Sequence, residues 1–453
     1  MRLVEPWELR AAFARSLSDM YGTEVPAYTT LLDVAHEVNR DVLAARGADA
    51  ERLGSIDRVT AERHGAIRLG TPREMAQVAS IFGAMGMHPV GFYDLREAAT
   101  SAVPVVSTAF RPIAADELAR NPFRVFTSVL TPADRRFFSP DLARRLDAFL
   151  ADREVFAPEL LELAARAEAD GGLVRADADR FLALATAAFE LSREPVDRAW
   201  YDELERVSAV AADIGGVRST HVNHLTPRVL DIDDLYARMQ DRGITMIDDI
   251  QGPPRWEGPD VLLRQTSFRA LAEPRAFRGP DGAVTTDTLR VRFGEVEARG
   301  IALTRAGRAI YDAAIAEVRT ATAGLGAAQG QHVAREIWRR DFPATEHELA
   351  ERRLGYFTYR AVAGRVVADP IVYEDFLPMS AAGIFQSNLT ADGSKDVTQE
   401  GVALDADWMA GVVGRTLHDP FDLYAAQSEA SAAQVCADLD LDPATLSPIG
   451  ARR

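Results

Sequence analysis

His64-Gly-Ala-Ile-Arg68-Leu-Gly-Thr71-Pro72-Arg-Glu74-Met75 has a counterpart further along the chain, His224-Leu-Thr-Pro-Arg228-Val-Leu-Asp231-Ile-Asp-Asp234-Leu235. In the first copy Thr71, with Glu74 three residues on, is a capping-box signature, and Pro72 takes the favoured first helical position. Met75, Val78, Ala79, Phe82 and Met85 then share one helical face, Gly86 stops the helix, and a short strand is expected over 90–93. In the second copy Asp231 can cap, Leu235 and Met239 face inward, and Gly243 ends the helix before a strand expected over 244–247. Both copies read strand, cap, helix, glycine, strand, and both begin His-x-x-x-Arg. A match of five elements in order marks an internal repeat.

Strand geometry gives that motif a meaning. Residues i and i+4 lie on the same face, about 13 Å apart at ~3.3 Å per residue, so each repeat aims an imidazole and a guanidinium to one side. Two such units closing on a shared cavity bring two histidines together, and a metal site then needs a carboxylate. The stretch Leu289-Arg-Val291-Arg-Phe293-Gly-Glu295-Val-Glu297-Ala-Arg299 offers two, Glu295 and Glu297, on the face that also carries Val291 and Phe293. Burying an unpaired carboxylate is costly, so a cation must be near, either a metal or Arg299. Two imidazoles and one carboxylate form the facial set that holds non-haem Fe(II) with three positions open.

The rest of the chain narrows the field. Its 453 residues carry 51 basic and 68 acidic side chains, a net charge of −17, which argues against broad electrostatic binding to nucleic acid. Lys395 is the one lysine, so no Walker lysine exists, and Cys436 is the one cysteine, so intrachain disulfides and thiolate metal clusters are excluded. No run approaches the ~18 apolar residues of a membrane span, and the N-terminus lacks a signal-peptide core, so the expected location is the cytoplasm. Helices are expected over 7–47, 140–212 and 304–340, and from 420 onward, with α/β segments between them. Gly324-Leu-Gly326 follows a helical pattern rather than a strand, which rules out a dinucleotide fingerprint, and neither His-Glu-x-x-His nor Gly-x-Ser-x-Gly occurs.

The paired repeats resemble the βαβββ modules of the vicinal-oxygen-chelate superfamily, and Phe293-Gly-Glu295-Val-Glu-Ala-Arg299 is similar to its closing strand. His64-Gly-Ala-Ile-Arg68, His221-Val-Asn-His224-Leu-Thr-Pro-Arg228, Phe293-Gly-Glu295-Val-Glu and Pro378-Met-Ser380-Ala-Ala-Gly-Ile-Phe385 together resemble the 2-oxoadipate dioxygenase/decarboxylase (2-hydroxyglutarate synthase) family, in the same order over roughly 20–420. The resemblance implies an α+β fold of two βαβββ modules forming an incomplete barrel, with large helical insertions. The boundaries expected are an N-terminal helical segment 1–56, modules at 57–138 and 216–303, a helical insertion 139–215, and a remainder 304–453 with a pocket-closing loop and tail. It implies Fe(II) held by His64, His224 and Glu295, Arg68 on a substrate carboxylate, and Met379 and Ser380 in the closing loop. Met379 stands where a smaller apolar residue is expected, which leaves the substrate's chain length open. The implied reaction takes a small anionic 2-oxo acid, 2-oxoadipate, with O2 to 2-hydroxyglutarate and CO2, a step of lysine breakdown.

Alternatives stand beside each assignment. Glu297 is the rival ligand to Glu295. His221, three residues from His224, points to the opposite strand face and reads as structural or supporting, and Arg228 reads as supporting structure beside Pro227. The other five histidines, His36, His88, His332, His347 and His418, read as structural. For the whole chain, the rivals are a Zn- or Ni-dependent glyoxalase-like lyase or isomerase and a non-catalytic metabolite-binding module. Oligomeric state is not fixed by the sequence.

Overall fold

A computed structural model describes residues 2–97, 102–290, 292–377, 395–396 and 398–441. The fold is mixed α+β, with a five-stranded sheet at its centre. Its strands are β1 (Arg63–Leu69), β2 (His88–Asp94), β3 (Val105–Arg111), β4 (Arg124–Leu130) and β6 (Val222–Pro227), in the order β2-β3-β4-β1-β6. β1 runs parallel to β4 and antiparallel to β6, so the two expected repeats meet strand to strand. Among the described residues no sheet closes into a barrel.

The first repeat forms as its capping chemistry dictates. Thr71 Oγ1 accepts from Glu74 N at 3.2 Å, and the helix Pro72–Gly83 buries Met75, Val78, Ala79 and Phe82. The reciprocal bond is displaced by one residue: the Glu74 carboxylate accepts from Gly70 N at 2.7 Å and also pairs with Arg153. Asp231 caps the helix Ile232–Asp241 by accepting from Asp233 N and Asp234 N, both at 3.1 Å. The strand expected over 244–247 does not form; Met246 makes only an isolated bridge to Phe268.

The stretch 289–299 is likewise not one strand. β9 (Val284–Leu289) ends at its start, Val291 lies outside the described residues, and β10 (Glu295–Arg299) begins at the first acid. β10 pairs antiparallel with β7 (Leu263–Ser267), and its Glu297 makes a parallel bridge to Arg228, the residue just after β6. Between β7 and β10 the chain makes the hairpin of β8 (Glu273–Arg278) and β9, which lies against the short β5 (Val196–Asp197). Helices occupy the expected blocks, with a break between Pro6–Glu24 and Pro26–Arg46 where proline restarts the helix. The Gly324–Gly326 run joins the helices Arg305–Thr322 and Ala327–Asp341.

One large core joins the N-terminal helices to the central sheet. A second surrounds Trp338, stacked on Phe342 at 4.5 Å, near the pair β11 (Phe357–Val362) and β12 (Arg365–Pro370). Among the described residues no helix is long and apolar enough to cross a membrane.

Candidate metal centre

The register between β1 and β6 sets Ala66 opposite His224 and His64 opposite Thr226, which brings the two histidine rings to 5.5 Å between centroids. Glu295, the first residue of β10, completes the group. His64 Nε2 lies 3.9 Å from Glu295 Oε1, and His224 Nε2 lies 3.4 Å from Glu295 Oε2. One ligand atom from each of the three falls within 4.8 Å of the others, and the residues are 1, 5 and 3% exposed in the order His64, His224, Glu295. Donors bonded at ~2.0–2.2 Å to one ion sit about 3 Å apart at right angles; the separations found, none above 4.8 Å, are wider and close up with small side-chain movements.

Glu297 faces the other side of His64. Its Oε2 lies 3.1 Å from His64 Nδ1, an ion-pair contact rather than an aligned hydrogen bond, while Arg299 donates to both its oxygens at 2.6 and 3.0 Å. The two acids therefore straddle one imidazole. Burial opposes the charge of Glu297, but Arg299, His64 and Arg124 outweigh it and hold its carboxyl down at about 2. Glu295 has no such partner: burial, with Glu297 nearby, pushes its carboxyl well above the usual range against a weaker pull from Arg299. Burial also pushes both imidazoles down, His224 further because His64 faces it. Two neutral imidazoles and one carboxylate without a bound arginine form a donor set that a divalent cation fits, since metals bind the neutral ring and the anionic acid.

The remaining predicted residues separate into two neighbourhoods. Arg68, 4% exposed, donates from Nη1 to Asp213 Oδ2 at 2.6 Å. Asp213 also accepts from Asn223 Nδ2 at 2.9 Å and lies 3.4 Å from His221 Nε2. His221 thus precedes β6 and serves the Asp213 cluster rather than the triad; burial, against the opposing pull of Asp213, lowers it to about 4. Arg228 lies in a different network, donating to Glu62 Oε2 at 3.1 Å and to the Leu53 carbonyl. Met379 and Ser380 lie outside the described residues.

Several contributors were not singled out from the sequence. Glu62 and Glu374 anchor a buried lattice with Arg58, Arg124, Arg228 and Arg299 behind the triad. Asp213 carried one signal, an acid alone in the apolar run Ala209-Val-Ala-Ala-Asp213-Ile-Gly215. Phe376 packs edge-on against His64 at 4.9 Å, and Phe293 lies 5.2 Å from His224, so aromatic walls flank both rings.

A family model for 2-oxoadipate dioxygenase/decarboxylase matches residues 13–388. A 2-oxoadipate dioxygenase/decarboxylase of Mycobacterium tuberculosis is 59% identical over 422 residues, covering 93% of this chain and 97% of that protein. One of Pseudomonas putida is 40% identical over 462 aligned residues, covering 96% and 97%. The crystal structure of the Pseudomonas putida hydroxyglutarate synthase in complex with 2-oxoadipate superimposes with a TM-score of 0.83 at 37% identity, covering 97% of this chain and 100% of that one. By the extent of these matches, the chain belongs to the 2-oxoadipate dioxygenase/decarboxylase family.

Proposed function

We propose that this chain is an Fe(II)-dependent, cytoplasmic dioxygenase/decarboxylase that converts 2-oxoadipate and O2 to 2-hydroxyglutarate and CO2 in lysine breakdown. The observation that carries the reading is the buried triad of His64, His224 and Glu295 where β1, β6 and β10 meet. The names of the relatives, and the 2-oxoadipate bound to the Pseudomonas putida enzyme, support the substrate class.

In this reading His64, His224 and Glu295 hold Fe(II), which supplies the open positions and electrons that O2 chemistry requires. The protein's own groups do the rest. Glu297, fixed by Arg299, sits 3.1 Å from Nδ1 of His64, on the side away from Nε2, the atom that would bind the ion. Arg68, positioned by Asp213, offers its planar fork to a substrate carboxylate and offsets the net charge of −17 locally. Phe293 and Phe376 keep water from the imidazoles. Met379 and Ser380 are proposed to complete the substrate pocket. The two modules of the proposed layout are β1–β4 with the helix Pro72–Gly83, and β6, the helix Ile232–Asp241, β7 and β10, with the β8–β9 hairpin inserted into the second.

The test is anaerobic Fe(II) loading followed by oxygen-electrode traces with C5, C6 and C7 2-oxo diacids. Stoichiometric uptake of O2 and release of CO2 with the C6 diacid is the expected result. A loaded protein that turns over a substrate without oxygen is instead a lyase or isomerase of glyoxalase type.

A further inference from the structure

A separate cavity of about 640 Å³ is walled by Phe149, Trp200, Val217 and three arginines, Arg218, Arg275 and Arg278; none of the triad residues lines it. Its size is that of a small-molecule site. The arginines are the unusual feature. Among the described residues the other buried arginines each meet a carboxylate, as Arg124, Arg228 and Arg299 do in the lattice behind the triad, whereas the buried Arg275 does not. Among the described residues, no carboxylate oxygen comes within 4.0 Å of the guanidinium of Arg218, Arg275 or Arg278.

Arg275 is the most telling of the three. It projects from β8, is only 7% exposed, and its Nε is buried with no hydrogen-bond partner, while Nη1 donates to the Ser192 carbonyl. Burial of that guanidinium lowers its pKa, with Asp213 as the largest opposing charge. A desolvated, unpaired cation is costly, and an anion in the cavity relieves that cost. Arg218 lies over the Phe149 ring at 5.3 Å and, like Arg278, is exposed at the rim. Two acids, Glu194 and Asp197, also line the cavity, but neither carboxylate pairs with any of the three arginines, and Asp197 turns Oδ1 to Trp200 N. Charge and shape together call for an anion with some apolar body.

We propose that this cavity binds a small polyanion, a carboxylate or phosphate compound whose apolar part lies against Phe149, Trp200 and Val217. The wall formed by Gly216, Val217 and Arg218 belongs to the same short stretch of chain that carries Asp213, His221 and His224. A ligand there touches the segment that carries His224 of the triad and Asp213, the partner of Arg68.

Phthalate and phenyl phosphate, dianions with an apolar ring and only weak affinity for Fe(II), serve as the carboxylate and phosphate probes, titrated calorimetrically against the full-length, Fe(II)-loaded protein under anaerobic conditions. The expected result is saturable, salt-sensitive binding of one of them, which names the source. It is expected to weaken about tenfold or more in Arg218→Ala/Arg278→Ala, since each charge-assisted hydrogen bond is worth at least that. Both side chains are exposed, so the double variant retains the fold, which circular dichroism and metal content verify on the same preparation. Trp200 lines the cavity, so the ligand should also quench a fluorescence component that Trp200→Phe removes. No saturable binding up to millimolar concentration overturns the proposal, as does equal binding by the double variant. Complete competition by saturating 2-oxoadipate, undiminished in the double variant, places the anion at the triad instead and overturns it too.

Discussion

Asp213 gathers three polar groups around one buried carboxylate: Arg68, Asn223 and His221. Burial disfavours its charge, yet His221 and Arg68 together hold its pKa below the ordinary value. Asp213→Asn should therefore leave metal content unchanged and raise the KM for the diacid, with kcat/KM falling roughly tenfold to a hundredfold, the worth of one charge-assisted bond. Unaltered KM would show that Arg68 needs no such anchor. Arg68→Lys is a sharper test of the guanidinium, because an ammonium cannot reproduce two parallel bonds. It should keep the metal and lose on the order of tenfold to a few hundredfold in kcat/KM. Normal diacid turnover in Arg68→Ala would refute the role. Glu297→Gln separates support from ligation: removing the carboxylate at His64 Nδ1 should weaken metal affinity about 10–100-fold without abolishing it. Competition of the apoprotein against a chelator of known affinity measures that change.

At the scale of elements, periodicity located the helices, but it did not foresee where backbone approaches backbone. Gly307 sits inside the helix Arg305–Thr322, where propensity alone favours alanine by about 1 kcal/mol. A Cβ there would meet the Leu354 carbonyl oxygen at 2.1 Å, backbone that cannot swing aside. Gly307→Ala should accordingly destabilise the protein, by about 1–3 kcal/mol, as overpacking does. A raised melting temperature in that variant would show that the contact gives way. The capping residues were legible because they act over two or three positions, as Thr71 and Asp231 do. The strand expected over 244–247 was not, because a strand is defined by its partner. Met246 finds only Phe268, and the long β7 to β10 connection is taken up by a hairpin that pairs elsewhere.

Across the whole molecule, buried charge makes stability depend on pH. His221 is held neutral down to about 4 against an ordinary 6.5. Below 6.5 the unfolded chain takes up a proton that the folded one refuses, so stability falls between pH 6.5 and 4, on the order of 3 kcal/mol for this residue. Glu297, held at about 2 against 4.5, keeps its contribution above pH 4.5 and loses it as pH falls toward 2. Glu295 has the opposite sign in the apoprotein. Its raised pKa makes it stabilising below 4.5, and that contribution is lost as pH rises through the folded value. A divalent cation removes this penalty by favouring the ionised carboxylate. The gap in melting temperature between metal-loaded and apo protein should thus widen from pH 5 to 7.5, as read by calorimetry. A constant gap would mean that Glu295 does not meet the metal.

What the sequence determined by itself is local or periodic: the helical blocks, the two caps, the His-x-x-x-Arg repeat, and the spacing of Glu295, Glu297 and Arg299 along one stretch. Those follow from hydrogen bonds within a few residues and from the 3.6- and 2-residue repeats, which any reader of the chain can count. Only the tertiary structure decided which carboxylate faces Nε2 of both histidines and which one Arg299 holds on the other side of His64. Alternation put both acids on the same face, so no rule of strand spacing could separate them. The antiparallel register of β1 on β6 and the approach of β10 did so, and these join residues far apart in sequence. Asp213 was hidden for the same reason: its partners are Arg68 on β1, His221 just before β6 and Asn223 within it, and only packing the helix Ala209–Gly215 against them gives a lone acid in an apolar helix its purpose.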